Sequence, residues 1–393
     1  MSKTAAPLGI LGDGQLALML AESATRQGFD FLSYGDDPTS SFASRFPENF
    51  VQGSRDDLNK LRDFAGRCSV ITLENEFYPV KSLEIIENDT GIPVVPNPAS
   101  YRFFESKLAQ RSLYESLSIP GPRTVEIKDT DSDKVLTQIE AEFSYPFVLK
   151  KSVGGYDGYG VAIIASRARF LDALEKFGLQ KGSPLFIEEK VSIAREFAQG
   201  ALFDGKGGAN FLPLVETIQR NGICELVLSR STLEPILLKQ VETTILDFLS
   251  RIAEKGLKGL FNFEFFLDQN NRVLINEGAP RPHNSQHLSM DASPLSQFDL
   301  LTYFCVNDEL PLPAGNTLLS KPGVMINLLG KSSGQNYILS LPEFPEGLES
   351  KPKLYLKKEC RPGRKMGHLN LVDPDGKLDL IQIGEKTLKE YHL

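Results

Sequence analysis

The chain of 393 residues has only four cysteines. Cys68, Cys224, Cys305 and Cys360 lie too far apart for a CxxC pair or a zinc-ligand spacing. That argues against a disulfide scaffold and a thiolate metal site, and it fits buried free thiols in a reducing compartment. No run approaches the ~18 apolar residues of a membrane span. The first fifteen residues, MSKTAAPLGILGDGQ, lack the apolar core of a signal peptide. A cytoplasmic location with no membrane partner is expected. Positive charge is not in excess: 43 Lys and Arg stand against 51 Asp and Glu, for a net charge of −8 and a pI near 5.3. This argues against a nucleic-acid partner but leaves room for anionic small ligands in a local basic pocket. Internal repeats, low-complexity tracts and long linkers are also missing. Apolar content of 41% and charged content of 24% are those of a globular protein with a sizeable core. The length suits two or three domains of about 100–200 residues each.

What is present begins with an alternation of strand and helix. Residues 8–11, 29–33, 69–73 and 93–95 read as short apolar strands, and 15–26, 56–66 and 80–89 as helices. This βαβαβαβ order predicts a parallel sheet covered on both faces. After a helix at 106–117 the pattern changes. Strands at 145–153, 161–165 and 185–191 enclose a helix at 168–177. The strand-like runs REFAQGALF, FLPLVETIQ and ICELVLS precede a long amphipathic helix at 235–255. A hairpin and a helix at 294–306 follow, and then short strands in GVMINLLG, LYLKK and HLNLV. The expected fold class is α/β (α+β) in three parts. These are a Rossmann-like domain (1–105), a central domain (106–310) with a small lid at about 125–190, and a small β-rich domain (311–393). The last part is locally basic through Lys351, Lys353, Lys357, Lys358, Arg361, Arg364 and Lys365. Its turn, RPGRK, favours a defined anion site over a solvated charge run.

The densest chemistry lies in residues 260–287, LFNFEFFLDQNNRVLINEGAPRPHNSQH. Two apolar runs flank the polar turn DQNN, the signature of a hairpin. A two-residue loop at Asn270 and Asn271 sets Glu264 directly opposite Glu277, with Cβ atoms about 4.5–5.5 Å apart. Facing carboxylates among Phe and Ile repel and are costly to desolvate, so a cation belongs between them. Oxygen-only ligands suit magnesium, which takes one or two carboxylates plus substrate phosphates. Arg281, His283, Asn284 and His287 follow at once.

Two glycine-rich turns bear on the ligand. LGDGQLA lies between a strand and a helix, with Asp36 and Asp37 about twenty residues later, and so matches a dinucleotide fingerprint. A dinucleotide-dependent oxidoreductase is therefore one alternative. Such turns serve many ligands, however, and this reading leaves the carboxylate hairpin unexplained. GGYDGYG (154–160) lies between two strands and lacks the GK[ST] of a Walker A loop. Its glycines, Gly155, Gly158 and Gly160 among them, let backbone N–H groups lie over phosphates. Lys150, in the preceding strand, can neutralise a phosphate as a point charge. Glu188 and Glu189 are placed to accept hydrogen bonds from an adenine amino group or a ribose. With the carboxylate pair, these features point to ATP and magnesium.

The ordered set KLAQRSL, PFVLKK…GGYDGYG, LFIEEKV, REF, NFEFF…LINEGAPRPHNSQH and RPGRKMGHLN resembles the ATP-grasp superfamily. Within it, the set resembles the 5-(carboxyamino)imidazole ribonucleotide synthases of purine biosynthesis, over nearly the whole chain. The resemblance implies ligation of bicarbonate to the amine of 5-aminoimidazole ribonucleotide, driven by ATP through carboxyphosphate. It implies magnesium, with manganese as the alternative ion, and a homodimer. Lys107 and Lys150 would contact ATP phosphates under the lid glycines. Glu188, Glu189, Val191 and Glu196 would bind adenine and ribose, with Gln219 nearby. Glu264 and Glu277 would hold the metal, with Asn276 beside them. Tyr156 and Asp157 would face the amine, and Asp157 would take its proton. Arg281, His283 and Asn284 would form the bicarbonate and carboxyphosphate pocket. Lys358, Arg364 and Lys365 would grip the ribonucleotide 5′-phosphate.

Four departures from the family pattern stand out. The first turn reads GDGQLALM where GGGQLGRM is usual, which brings in Ala17 and Leu18. Tyr159 stands where the lid usually carries a cation. Gln219 replaces a histidine, and Gln286 replaces a glycine in HNSGH. The expectation is an active but divergent enzyme. The alternatives are another ATP-grasp carboxylate–amine ligase or a catalytically weakened nucleotide-binding relative.

Overall fold

The computed structural model describes residues 6–129, 131–153, 160–178, 184–229, 234–253, 256–335 and 337–393. The first sheet is built from β1 (Leu8–Leu11), β2 (Phe31–Gly35), β3 (Phe50–Gln52), β4 (Val70–Leu73) and β5 (Val94–Val95). All five strands are parallel, in the order β3-β2-β1-β4-β5. Every residue of β1 and β4 is buried, which is why LGIL and VITL are unbroken apolar runs or nearly so. β3 does not appear in the expected pattern, because three residues are too few to show a period.

The second sheet comprises β6 (Thr124–Ile127), β7 (Phe147–Lys151), β8 (Val161–Ile164) and β9 (Leu185–Glu189). It is antiparallel, in the order β6-β9-β7-β8. Helices Ser132–Glu142 and Arg167–Phe177 share a core with it, in which Leu136, Ile139, Phe170 and Leu174 join Phe147, Leu149 and Ile187. Alternation along each strand then turns Val148, Lys150 and Glu188 to the opposite face.

The third sheet holds β10 (Ile193–Phe203), β11 (Ala209–Phe211), β12 (Val215–Arg220), β13 (Ile223–Ser229), β14 (Gly259–Asp268) and β15 (Val273–Ala279). It continues through β16 (Gly323–Leu329), β17 (Glu349–Leu354) and β18 (Lys365–Val372). The order is β15-β14-β10-β12-β13-β16-β18-β17, with β11 on β10. The antiparallel pairing of β13 with β16 therefore joins the C-terminal strands to the central ones in a single sheet. Helix Pro235–Ile252 buries Val241, Ile245 and Phe248 in one core with Phe261 and Phe263.

Three local expectations are corrected. FLPLVETIQ is two strands, β11 and β12, because Pro213 between them has no N–H to give a ladder. LYLKK is not a strand: β17 stops at Leu354, and Leu356 adopts a left-handed φ of 54°. Several helices lie outside the expected pattern, the longest being Ser132–Glu142 and Leu380–Glu390, each capped by an aspartate, Asp131 and Asp379. Among the described residues no helix is long and apolar enough to cross a membrane.

Candidate active site

Glu264 does face Glu277, but by a different route from the one the sequence suggests. The Asp268 N–H donates to the Arg272 carbonyl (3.0 Å), and Asn271 takes a left-handed φ of 60°. The loop is thus one residue longer, and Phe265 pairs with Ile275. Carried on unbroken, that register would set Asn276 against Glu264. A bulge at Asn276 inserts one residue into β15 and brings Glu277 opposite instead. The longer loop and the bulge offset one another. Asn276 then donates from Nδ2 to Glu264 Oε2 (3.4 Å) and accepts at Oδ1 from Arg111 Nη2 (3.2 Å).

The two carboxylates are not equivalent. Lys107, at the start of helix Lys107–Ser116, places Nζ 2.5 Å from Glu277 Oε2. Burial opposes charge on Glu277, but the Lys107 ammonium outweighs it and holds the carboxyl well below the usual carboxylate range. Glu264 shifts the other way, raised by burial and then by the facing Glu277. One carboxylate is matched by a cation and its neighbour is short of positive charge. That is the electrostatic setting a divalent ion would complete. Among the described residues no cluster of three or more His, Cys, Asp or Glu side chains is placed to hold a metal. The pair fits an ion whose remaining ligands come from substrate phosphates and water.

Arg111 follows Lys107 by four residues, so both project from one helix face. It is the main residue missed from the sequence, although that spacing signals it. Its Nε donates to Glu188 and its Nη1 to the Asn276 carbonyl. Lys150 Nζ lies 2.5 Å from the other Glu188 oxygen. Burial disfavours charge on both Glu188 and Lys150. For Glu188 the Arg111 and Lys150 cations win and its carboxyl is held low, whereas Lys150 stays below its ordinary value despite Glu188. Arg111–Glu188 is therefore the firmer pair, and Lys150 is the less firmly held of the two cations.

On the other side of the carboxylates, Glu76 takes Arg281 through both oxygens, with Nη2 3.0 Å from Oε1. Glu76 is the second missed residue. It lies just past the end of β4, in ENEF, where a charged residue follows an apolar strand. The His283 backbone is clamped by Gln297, which accepts its N–H and donates to its carbonyl, both at 2.8 Å. Burial and then Arg281 push the His283 imidazole down to about 4, so it is neutral at pH 7. Its Nδ1 lies 2.9 Å from Ser285 Oγ and its Nε2 3.9 Å from Glu264 Oε1.

These groups open onto a cleft of about 1400 Å³. Its walls include Lys150, Glu188 and Glu189 from the second sheet, Lys107 from the helix Lys107–Ser116, Val191, and Glu196 from β10 of the third sheet. Gln219, Glu264, Asn276 and Glu277 form its floor, with Arg281, His283, Asn284 and Lys365 beyond. Burial alone pushes Glu196 up to about 7. Val148, Val161, Ile163 and Phe266 add an apolar wall. Lys358 and Arg364 are not part of the lining, and Arg364 Nη1 donates to the Glu359 carbonyl (2.9 Å). Gly160 has φ 82° and accepts from Lys151 N–H at its carbonyl (2.8 Å). Gly155, Tyr156, Asp157, Gly158 and Tyr159 lie outside the described residues.

The dinucleotide alternative meets a chemical obstacle. Both Glu74 oxygens fill the turn before helix Gln15–Gln27, accepting from the N–H groups of Asp13 (3.1 Å), Gly14 (2.9 Å) and Ala17 (2.9 Å). A Cβ on Gly12 would collide with that side chain. The seat where a pyrophosphate would bind is taken by the chain's own carboxylate. Ala17 and Leu18 are buried core residues. Gln286 is buried too, and its Nε2 donates to the carbonyls of Ala198 (3.2 Å) and Pro213 (3.3 Å). Replacing Gln286 by alanine removes both donations. It is expected to cost about 1–3 kcal/mol in urea unfolding while leaving the KM for ATP unchanged.

Three family models match along the chain: a ribonucleotide synthetase preATP-grasp domain at 5–104, an ATP-grasp domain at 112–298 and a phosphoribosylaminoimidazole carboxylase C-terminal domain at 323–378. The N5-carboxyaminoimidazole ribonucleotide synthase of Synechococcus elongatus is 33% identical over 373 residues, covering 93% of this chain and 89% of that protein. The Staphylococcus aureus N5-carboxyaminoimidazole synthetase complexed with ADP superposes with a TM-score of 0.82 at 26% identity, over 98% of this chain and 97% of that one. The carboxyaminoimidazole ribonucleotide synthase of Aspergillus clavatus complexed with ATP gives 0.79 at 27%, over 98% and 99%. With the three segments in the same order and one cleft where they meet, the chain belongs to the N5-carboxyaminoimidazole ribonucleotide synthase family of ATP-grasp enzymes.

Proposed function

We propose that this protein carboxylates the amine of 5-aminoimidazole ribonucleotide with bicarbonate, converting ATP to ADP and phosphate. The observation that carries this reading is the single cleft in which the Glu264–Glu277 pair stands between the phosphate-directed lysines and the Arg281–His283–Asn284 loop. ATP lies between the lid face of β7 and β9 and the floor of β14 and β15. The apolar wall and Val191 take the adenine, with Glu188, Glu189 and Gln219 near its edge. Glu196, its carboxyl raised by burial, takes a ribose hydroxyl. Glu264 and Glu277 would hold magnesium, or manganese in its place, with Asn276 beside them, and the ion would supply charge neutralisation at the phosphates. Lys107 and Lys150 hold the phosphate oxygens. Tyr159 carries no charge to share that task with the two lysines.

A bicarbonate oxygen attacks the γ-phosphorus, and the bond to ADP breaks. Arg281, oriented by Glu76, and neutral His283 stabilise the resulting carboxyphosphate by hydrogen bonds and charge. Asn284 contributes its amide. The substrate amine then attacks the carboxyl carbon, phosphate leaves, and Asp157, beside Tyr156, takes the proton. Lys365 lines the cleft and takes the ribonucleotide 5′-phosphate, while Lys358 and Arg364 stay outside the lining and add positive charge nearby. The protein acts in the cytoplasm as a homodimer. ADP release measured with bicarbonate is expected to rise several-fold when aminoimidazole ribonucleotide is added, and to fall back when bicarbonate is removed. Absence of stimulation by the ribonucleotide would overturn the reading.

A further inference from the structure

Asn284 reaches the cleft from the loop after β15, yet its amide is held by the C-terminal strands. Asn284 Nδ2 donates to Asn327 Oδ1 (2.9 Å), and Asn327 Nδ2 donates back to Asn284 Oδ1 (2.8 Å). The second Asn327 N–H goes to the Cys224 carbonyl on β13 (2.9 Å). Asn327 lies on β16 and is fully buried. It is not part of the cleft lining.

The direction of each amide follows from one group that has no choice. A backbone carbonyl only accepts, so Asn327 must turn its nitrogen toward Cys224. Its oxygen then faces Asn284, which must answer with its own nitrogen. The Asn284 amide is thereby locked against a flip. Its other N–H is directed at the Tyr355 hydroxyl, which leaves one oxygen lone pair to offer elsewhere. A flipped or displaced amide would lose the paired bonds with Asn327 and change the polar group that this loop presents to the cleft.

We infer that Asn327 is a positioning residue for the carboxylation step, acting through Asn284 and coupling the C-terminal strands that carry Lys365 to the loop that carries Arg281 and His283. The inference rests on the proposed place of Asn284 beside the reacting carboxyl group.

A double-mutant cycle tests it, with Asn284→Ala, Asn327→Ala and the pair combined. Ribonucleotide-stimulated ADP formation is measured alongside binding of a non-hydrolysable ATP analogue. Asn327→Ala is expected to lower kcat roughly ten- to a hundred-fold with analogue affinity unchanged, as expected when a reacting group is misplaced. In the Asn284→Ala background it should change kcat less than about two-fold, because a residue that works through another adds nothing once that one is gone. Full additivity of the two losses overturns the inference. A parent-like kcat for Asn284→Ala would instead overturn the assignment of Asn284 itself. Should Asn327→Ala fail to bind the analogue, Asn327→Asp takes its place in the same cycle. It keeps an acceptor for Asn284 and loses both donations, and the same outcomes decide.

Discussion

Replacing Glu264 by glutamine is expected to lower ADP formation on the order of 10² to 10³-fold, the range found when a preorganised charge partner of a transition state is removed. Glutamine keeps the size of the side chain and one oxygen, so the fold should persist. The lost element is the second negative charge beside Glu277. Glu264 is the better test of the two. Its carboxyl has no lysine of its own, whereas Glu277 is already paired with Lys107. Glu277→Gln would therefore combine loss of a negative charge with release of a cation. Glu264→Asp keeps the charge and withdraws it by one methylene, so part of its lost rate should return as magnesium is raised. ADP formation by Glu264→Gln within a factor of three of the parent would remove the pair from the mechanism.

Arg111→Met is the second change with a large expected effect, this time on stability. Arg111 and Glu188 are 7% and 2% exposed, and the guanidinium also holds the Asn276 carbonyl and side-chain oxygen. Removing one member of such a buried set leaves charge uncompensated and costs about 3 kcal/mol. Lys150 remains on Glu188 and limits the loss. The effect should depend on pH in a definite direction. Arg111 and Lys150 hold the folded-state Glu188 carboxyl below its ordinary 4.5. The stabilisation is thus fully present above that value and disappears as pH falls through the folded one. Urea midpoints should show the variant well below the parent at pH 7, with the gap narrowing in acid. Equal midpoints at pH 7 would contradict the triad. The KM for ATP should also rise, because Lys150 would then be the sole cation on Glu188 and less free for phosphate.

Much of the site is legible residue by residue. Glu264 and Glu277 stand out because charge interrupts two apolar strands, and Lys150 because it precedes a glycine-rich loop. The hairpin shows how a correct pairing can rest on incomplete geometry. Loop length and the bulge at Asn276 each shift the register by one and cancel. No local rule places a bulge within INEGA, since it depends on where Arg111 and Gln110 meet that strand, Gln110 Oε1 accepting the Gly278 N–H (2.8 Å). Glu74 was hidden for the same reason. As a residue after a strand it looks like any solvated glutamate, and only the packed sheet shows it filling the turn at Gly12–Gly14.

The sequence by itself determined the parallel sheet of the first hundred residues, the facing carboxylate pair and the order of segments along the chain. Each of these rests on periodicity or on spacing within about thirty residues, where local sterics and alternation govern. Only the tertiary structure decided that β13 and β16 join central and C-terminal strands in one sheet. The same holds for Glu76 orienting Arg281 across 205 residues, and for Asn327 holding Asn284 across 43. Those pairings are selected by burial. A polar group taken out of water must find its partner wherever packing places one, and nothing in the spacing of the chain records where that will be.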